Sequence, residues 1–212
     1  RVHCAFVFDR DILDALPDRH DRRVEFIHAS VLELDRLLRG AGGALRVRHA
    51  DARQAIPELA AELGVEAVFA NHDYEPAAGD RDAAVQRALA RHGRRLLTFK
   101  DQTIFERDEL LTGQGRPFSV FTPYRNAWLK RLTDTDLAPH PVRLEGKLAD
   151  GCDVPAAPAL ETLGFRQTGL RDLGVAPGCS GARAVFDDFA TRVGRYRDTR
   201  DYPAIRGPSY LS

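Results

Sequence analysis

The chain has 212 residues, 43% of them hydrophobic, enough to bury the core of one domain or of one domain and part of a second. Its 31 basic and 31 acidic residues cancel, so the composition shows no electrostatic footprint for nucleic acid on this piece. Three cysteines far apart (Cys4, Cys152 and Cys179) and seven scattered histidines argue against a disulfide scaffold and against a metal site. No apolar run approaches ~18 residues, so no membrane span is expected, and reduced thiols suit the cytoplasm. Only three of the basic residues are lysines, which together with the alanine content reads as genome composition before function. The chain begins at Arg1, lacks methionine and stops at Ser212 where a new helix is about to start, the pattern expected of an internal fragment.

Residues 2–8 form a short apolar run closed by Asp9, as in a strand buried in a parallel sheet. Residues 22–39 then carry Val24, Ile27, Val31, Leu34 and Leu38 at steps of three and four, which puts one apolar face on a helix. The glycines at 40, 42 and 43 read as its C-terminal turn rather than as a phosphate loop. A strand is predicted over 45–49, a helix led by Asp51 and closed by Gly64, and a third strand over 65–70. The loop 71–76 leads into a helix bearing Ala84, Val85, Ala88 and Leu89, then a fourth strand over 95–99. Alternating strands and helices with short connections predict an α/β domain, doubly wound around a mainly parallel sheet.

Thr122 and Pro123 are placed to act as N-cap and first residue of a short helix, with Tyr124, Trp128 and Leu132 on one face. From 133 to about 181 five prolines and no sustained period predict a long linker running over a surface. A helix resumes over 182–197 with Phe186, Phe189, Val193 and Tyr196 in one stripe, and Phe186, Phe189 and Tyr196 are expected to stay partly uncovered.

Dinucleotide and nucleoside-triphosphate glycine signatures are absent, as is the G-x-S-x-G elbow of hydrolases. The loop from Asn71 to Pro76 lies at the carboxyl edge of a strand, where ligands bind in open α/β sheets. His72, Asp73, Tyr74 and Glu75 arm it, although Asn71 and Asp73 also suit plain turn geometry. The runs Asp80 to Asp82 and Glu106 to Glu109 read as solvated charge. Near the end, Ser209 and Ser212 flank Leu211 at a helix start, a pattern that suits either a phosphate site or a simple N-cap.

The stretch Phe121-Thr122-Pro123-Tyr124-Arg125-Asn126-Ala127-Trp128 resembles the end of the N-terminal α/β domain of the DNA photolyase and cryptochrome family. Four further blocks resemble it in the right order: Phe6 to Asp9 with Ile12 and Leu13, residues 22–38, Asn71 to Glu75 through Arg81 and Asp82, and residues 196–212. The resemblance implies a Rossmann-like antenna-binding domain over 1–132 without its first strand, an interdomain linker over 133–180, and the first helix of a truncated all-α flavin domain over 181–212. In that family, FAD held in the helical domain passes a light-driven electron to a flipped-out pyrimidine dimer in DNA, which costs less to extrude than a sound base pair.

By that resemblance Tyr196 lies at the flavin pocket, and Ser209, Leu211 and Ser212 match the Ser-x-Leu-Ser that contacts the FAD phosphates. Pro208 and Tyr210 replace a common threonine and a frequent arginine, and a proline brings neither hydroxyl nor N–H. A second, antenna chromophore is also implied. Ala77 and Ala78 stand where folate-binding members carry Asn and Glu, which leaves methenyltetrahydrofolate, a deazaflavin, another flavin or an empty pocket open. The whole protein is expected to be a monomeric, cytoplasmic class I deoxyribodipyrimidine photolyase binding dimer-containing DNA through its helical domain. No catalytic residue or metal ligand is expected here, and Trp128 stands alone, without the tryptophan chain that reduces the flavin. A cryptochrome-like photoreceptor without repair is the alternative. An unrelated electron-transfer flavoprotein module is a weaker one, expected to bind flavin or adenylate by itself.

Overall fold

Short acidic side chains set where the first two helices start. In the computed structural model, which describes residues 1–202, 204 and 205, the first strand β1 spans Cys4–Asp9. The Asp9 carboxylate accepts the Asp11 N–H at 3.1 Å and opens the short helix α1, Arg10–Leu13. Asp21 opens α2, Arg22–Gly40, by accepting the Arg23 N–H at 2.8 Å. The Arg23 guanidinium also grips that carboxylate and holds it down at about 2. At the other end Gly42 adopts φ 81°, and the Gly43 N–H returns to the Leu38 carbonyl at 2.9 Å. The glycine group is therefore a C-terminal turn.

Strand β2, Leu45–Ala50, lies parallel to β1, with Phe6 opposite Val47 and Phe8 opposite His49. Helix α2 is their crossover, as a parallel pair requires. A second βαβ unit follows. Helix α3, Ala52–Glu62, leads to β3, Ala67–Asn71, then α4, Pro76–Ala90, and β4, Arg95–Phe99. Strands β3 and β4 are parallel, with Val68 opposite Leu96. The α/β architecture with parallel strands thus stands. Among the described residues the strands pair two by two, each pair joined by its own crossover helix.

The chain forms two compact units, residues 52–143 and residues 1–51 joined by the chain from 144 onward. The core of the former gathers Ala60, Val85 and Leu89, with Ile56, Val68 and Leu96 packed against them. It also holds helix α5, Phe121–Arg131, and the short α6, Asp134–Leu137. Val120, not Thr122, is the N-cap of α5, and no side chain caps it. Thr122 and Pro123 fall inside the first turn, where the missing proline N–H still leaves no helical bond unmade. On the inner face, Trp128 meets Phe105 edge-on at 5.7 Å, and the Arg131 guanidinium lies over Phe105 at 5.0 Å.

The other unit draws much of its core from the stretch that its prolines mark as a surface linker. Leu148, Leu160, Leu163 and Phe165 are buried with Phe8, Val24, Val31 and Leu38. These late residues lie in extended chain and a single 3-10 turn, Glu161–Leu163, so no helical or strand period announces them. Helix α7, Gly178–Ala190, begins earlier than its apolar stripe suggests and stops at Thr191. A 3-10 turn, Val193–Arg195, then leads into α8, Tyr196–Thr199. Phe186 remains 52% exposed and Tyr196 38%, in keeping with the uncovered stripe read from the sequence.

Phe165 is 1% exposed, with Arg19 over its ring at 5.0 Å, so its truncation tests the unexpected half of this core. Phe165→Ala is expected to lower stability by about 3–5 kcal/mol, read as a fall in the urea midpoint. Phe186→Ala, at an exposed position, should change it by no more than about 0.5 kcal/mol.

Candidate functional site

At the carboxyl ends of β3 and β4 a polar cluster assembles around His72. Strand pairing brings it together: the His72 N–H donates to the Phe99 carbonyl at 2.7 Å, and its ring then faces Thr98 and Glu106. Nδ1 lies 2.9 and 3.0 Å from the two Glu106 oxygens, and Nε2 lies 3.0 Å from Thr98 Oγ1. A neutral imidazole placed this way donates from Nδ1 to the carboxylate and accepts the threonine hydroxyl at Nε2. The Tyr74 hydroxyl donates to the same Glu106 carboxylate. Tyr74 and His72 together hold the Glu106 carboxyl below the usual glutamate range, the tyrosine more strongly. In return the carboxylate pushes the Tyr74 phenol up.

Glu106 is itself held from behind. Its N–H donates to Glu109 Oε2 at 2.7 Å, and Lys100 Nζ pins that second carboxylate at 2.8 Å while donating to the Ile104 carbonyl at 2.9 Å. Arg107 takes φ 45°, a conformation uncommon for a residue with a side chain, and its guanidinium lies 6.0 Å from the Tyr74 ring centre. Asn71 donates to Asp101 at 2.8 Å, whereas Asp73 makes the plain turn contact with the Glu75 N–H at 3.1 Å. The loop 71–75 is thus partly turn geometry and partly an ordered hydrogen-bonded edge. Sequence reading assigned Glu106 and Glu109 to solvent. Their partners stand 34 and nine residues away, so no local spacing signals the cluster.

Helix α4 begins with Pro76 and places Ala78 in packing and Ala77 in solvent. Neither offers a hydrogen-bonding group where the resemblance has Asn and Glu.

The second place of interest is the head of α8. Tyr196 is its first residue, and its ring meets Phe189 edge-on at 5.7 Å, with the Arg200 guanidinium 6.0 Å from its centre. Arg195 and Arg197 flank it in sequence, and Arg200 Nε lies 3.6 Å from the Asp201 carboxylate. Ser209, Leu211 and Ser212 lie outside the described residues. Among the described residues no group of three or more His, Cys, Asp or Glu side chains is arranged to hold a metal ion. None of the helices among them is long and apolar enough to cross a membrane.

Glu106→Gln is expected to return the Tyr74 ionisation toward that of an ordinary phenol. Ultraviolet difference titration, with Tyr74→Phe to assign the signal, reads this directly. With Glu106 lowered and Tyr74 raised, the cluster is fully formed between the unfolded-state values of about 4.3 and about 10. It should be lost as acid protonates Glu106 below that window, or as alkali ionises Tyr74 above it.

The model of the DNA photolyase family matches residues 1–143. A deoxyribodipyrimidine photo-lyase of Synechococcus is 32% identical over 217 aligned residues, which cover 98% of this chain and 43% of that protein. One from Halobacterium salinarum is 33% identical across 100% of the chain and again 43% of the relative. The crystal structure of a class III photolyase from Agrobacterium tumefaciens superposes with a TM-score of 0.83 at 26% identity, covering 100% of this chain and 43% of that one. The chain therefore spans less than half the length of these relatives. With its parallel α/β architecture and its match over residues 1–143, it belongs to the DNA photolyase family.

Proposed function

We propose that this chain is the α/β domain, linker and flavin-domain entrance of a deoxyribodipyrimidine photolyase, which splits cyclobutane pyrimidine dimers in DNA under light. The observation that carries the reading is the near-complete alignment of the chain with relatives of that name, through the segment that bears Tyr196. Bound FAD supplies the photoexcited electron donor for dimer splitting. The chain's own residues hold and orient it. Tyr196, fixed edge-on against Phe189, offers an aromatic wall with a polar tip, and Arg195, Arg197 and Arg200 supply positive charge beside it. Ser209 and Ser212, outside the described residues, match the family's Ser-x-Leu-Ser, whose hydroxyl and N–H groups contact the diphosphate.

Trp128 and Tyr124 of α5 pair edge-on with Phe105 and Phe118 in the other unit and read there as packing. With Ala77 and Ala78 apolar, an antenna chromophore near that sheet edge has to be gripped through other groups. His72 and Tyr74, just before that position in sequence, form an ordered polar surface with Glu106. DNA binding is assigned to the helical domain, consistent with the balanced charge of this chain.

The full-length protein carrying this chain is expected to restore a dimer-containing oligonucleotide in blue light and to leave it unchanged in darkness. Flavin binding and photoreduction without repair would move the assignment to a photoreceptor, and a flavin-free protein would sink both. Tyr196→Ala should weaken flavin binding by about ten-fold, corresponding to about 1.4 kcal/mol, measured by titrating the apoprotein with FAD.

A further inference from the structure

Helix α7 starts against a carboxylate from another helix. Ser180, in its first turn, donates its N–H to Glu33 Oε1 at 2.9 Å and its hydroxyl to Glu33 Oε2 at 2.7 Å. The carboxylate satisfies a first-turn N–H and meets the positive end of the helix dipole. These bonds hold the Glu33 carboxyl below the usual glutamate range, the Ser180 hydroxyl more strongly than the N–H. The backbone is shaped to let the carboxylate in. Gly178 has φ +87°, and a Cβ there would lie 2.2 Å from Glu33 Oε2. At Gly181 a Cβ would lie 1.8 Å from the Ala176 carbonyl oxygen. Gly178 thus leaves room for the Glu33 carboxylate, and Gly181 lets the first turn of α7 pack against the Ala176 carbonyl.

The far end of α7 carries Phe189, whose ring holds Tyr196. The bend between them is tied down. Arg192 bonds Asp188 at 3.1 Å and lies over Phe189 at 5.3 Å, and the Thr191 hydroxyl donates to the Asp188 carbonyl at 2.7 Å. At 1.5 Å per residue, the helix is roughly 20 Å long, so a tilt of roughly 10° at its start would carry its end by roughly 3 Å. Displacements of that size are large for a ligand site, where errors near 1 Å already matter.

We propose that Glu33 is a positioning residue for the flavin site: from α2 it caps and aims α7, and through Phe189 it sets where Tyr196 stands. The inference rests on the reading that Tyr196 faces the flavin.

The test uses the full-length, FAD-loaded protein with Glu33→Ala, Glu33→Gln and Tyr196→Ala. Alanine, the best helix former, leaves α2 itself intact at this half-buried position. Glu33→Ala is expected to speed amide exchange in the first turn of α7, to change the visible circular dichroism of the bound flavin, and to weaken flavin binding by about ten-fold. Glu33→Gln keeps an acceptor for Ser180 and should recover most of the affinity. Faster exchange in α7 with unchanged flavin affinity and dichroism would reduce Glu33 to a structural cap and overturn the proposal. So would unchanged exchange. If Tyr196→Ala weakens flavin binding while Glu33→Ala does not, the positioning role alone fails. A Tyr196→Ala variant that binds flavin like its parent would remove the functional reading and the inference with it.

Discussion

A buried carboxylate organises one whole unit of this protein. Asp35, in the middle of α2 and 7% exposed, has left water and therefore needs partners on both oxygens. One oxygen accepts the Leu45 N–H at 2.9 Å, and the other accepts Arg39 Nε at 2.9 Å. The first bond ties the start of β2 to α2. Through the second, Arg39 is oriented so that its outer nitrogen reaches the carbonyl of Val154 at 3.0 Å. A single side chain thus ties together the crossover helix, the second strand and a segment more than 100 residues later.

The same helix answers a problem posed by the proline-bearing stretch. Chain without ladder or helix leaves its backbone groups unpaired, and burying it beside a core demands partners from elsewhere. Helix α2 supplies them along one flank. His28 meets the Pro158 carbonyl at 2.8 Å, and since a carbonyl only accepts, Nε2 carries the proton there. Glu25 takes the Thr168 N–H at 2.7 Å, and Glu33 takes that of Ser180. The adjacent face of α2 places Val24, Val31 and Leu38 in the core with Leu160 and Phe165. Apolar burial supplies most of the energy, while the polar contacts select one path for a segment with no periodicity of its own.

Legibility followed periodicity. The strands stand out as short apolar runs and the crossover helices repeat at three to four residues, so their alternation located them. Residues 160–165 had no such signal, because a 3-10 turn between extended pieces buries Leu160, Leu163 and Phe165 at irregular spacing. Thr122 looked like an N-cap because of the proline after it, yet the chain turns helical one residue before it at Phe121. The His72 cluster could not be read locally at all. Thr98 reaches it through the parallel pairing of β3 with β4, and Glu106 through a turn whose Arg107 takes an uncommon φ. Tyr196 stood out in the sequence only by resemblance, since a tyrosine on an apolar helical stripe is ordinarily packing.

Neutral composition conceals the order that matters near the end of the chain. Between Arg192 and Arg200 the chain carries four arginines and one acid, Asp198, with Arg192 paired to Asp188 and Arg200 to Asp201, while Phe186, Val193 and Tyr196 remain more than a third exposed. Exposed apolar groups are costly to leave in water, and on the proposed function their place beside arginines matches a ligand with an anionic tail and a flat aromatic body. A dinucleotide-like flavin has both. On the proposed function, the polar contacts of α2 would serve a purpose beyond folding. A light-driven electron transfer depends steeply on distance and orientation, so α7, whose Phe189 holds the Tyr196 ring, has to be aimed by something rigid. Helix α2 is anchored to β2 through Asp35 and fills the core with its apolar face, so it can support α7 firmly. Capping α7 from that helix transfers the rigidity of a βαβ core to a helix head whose own side chains bury little.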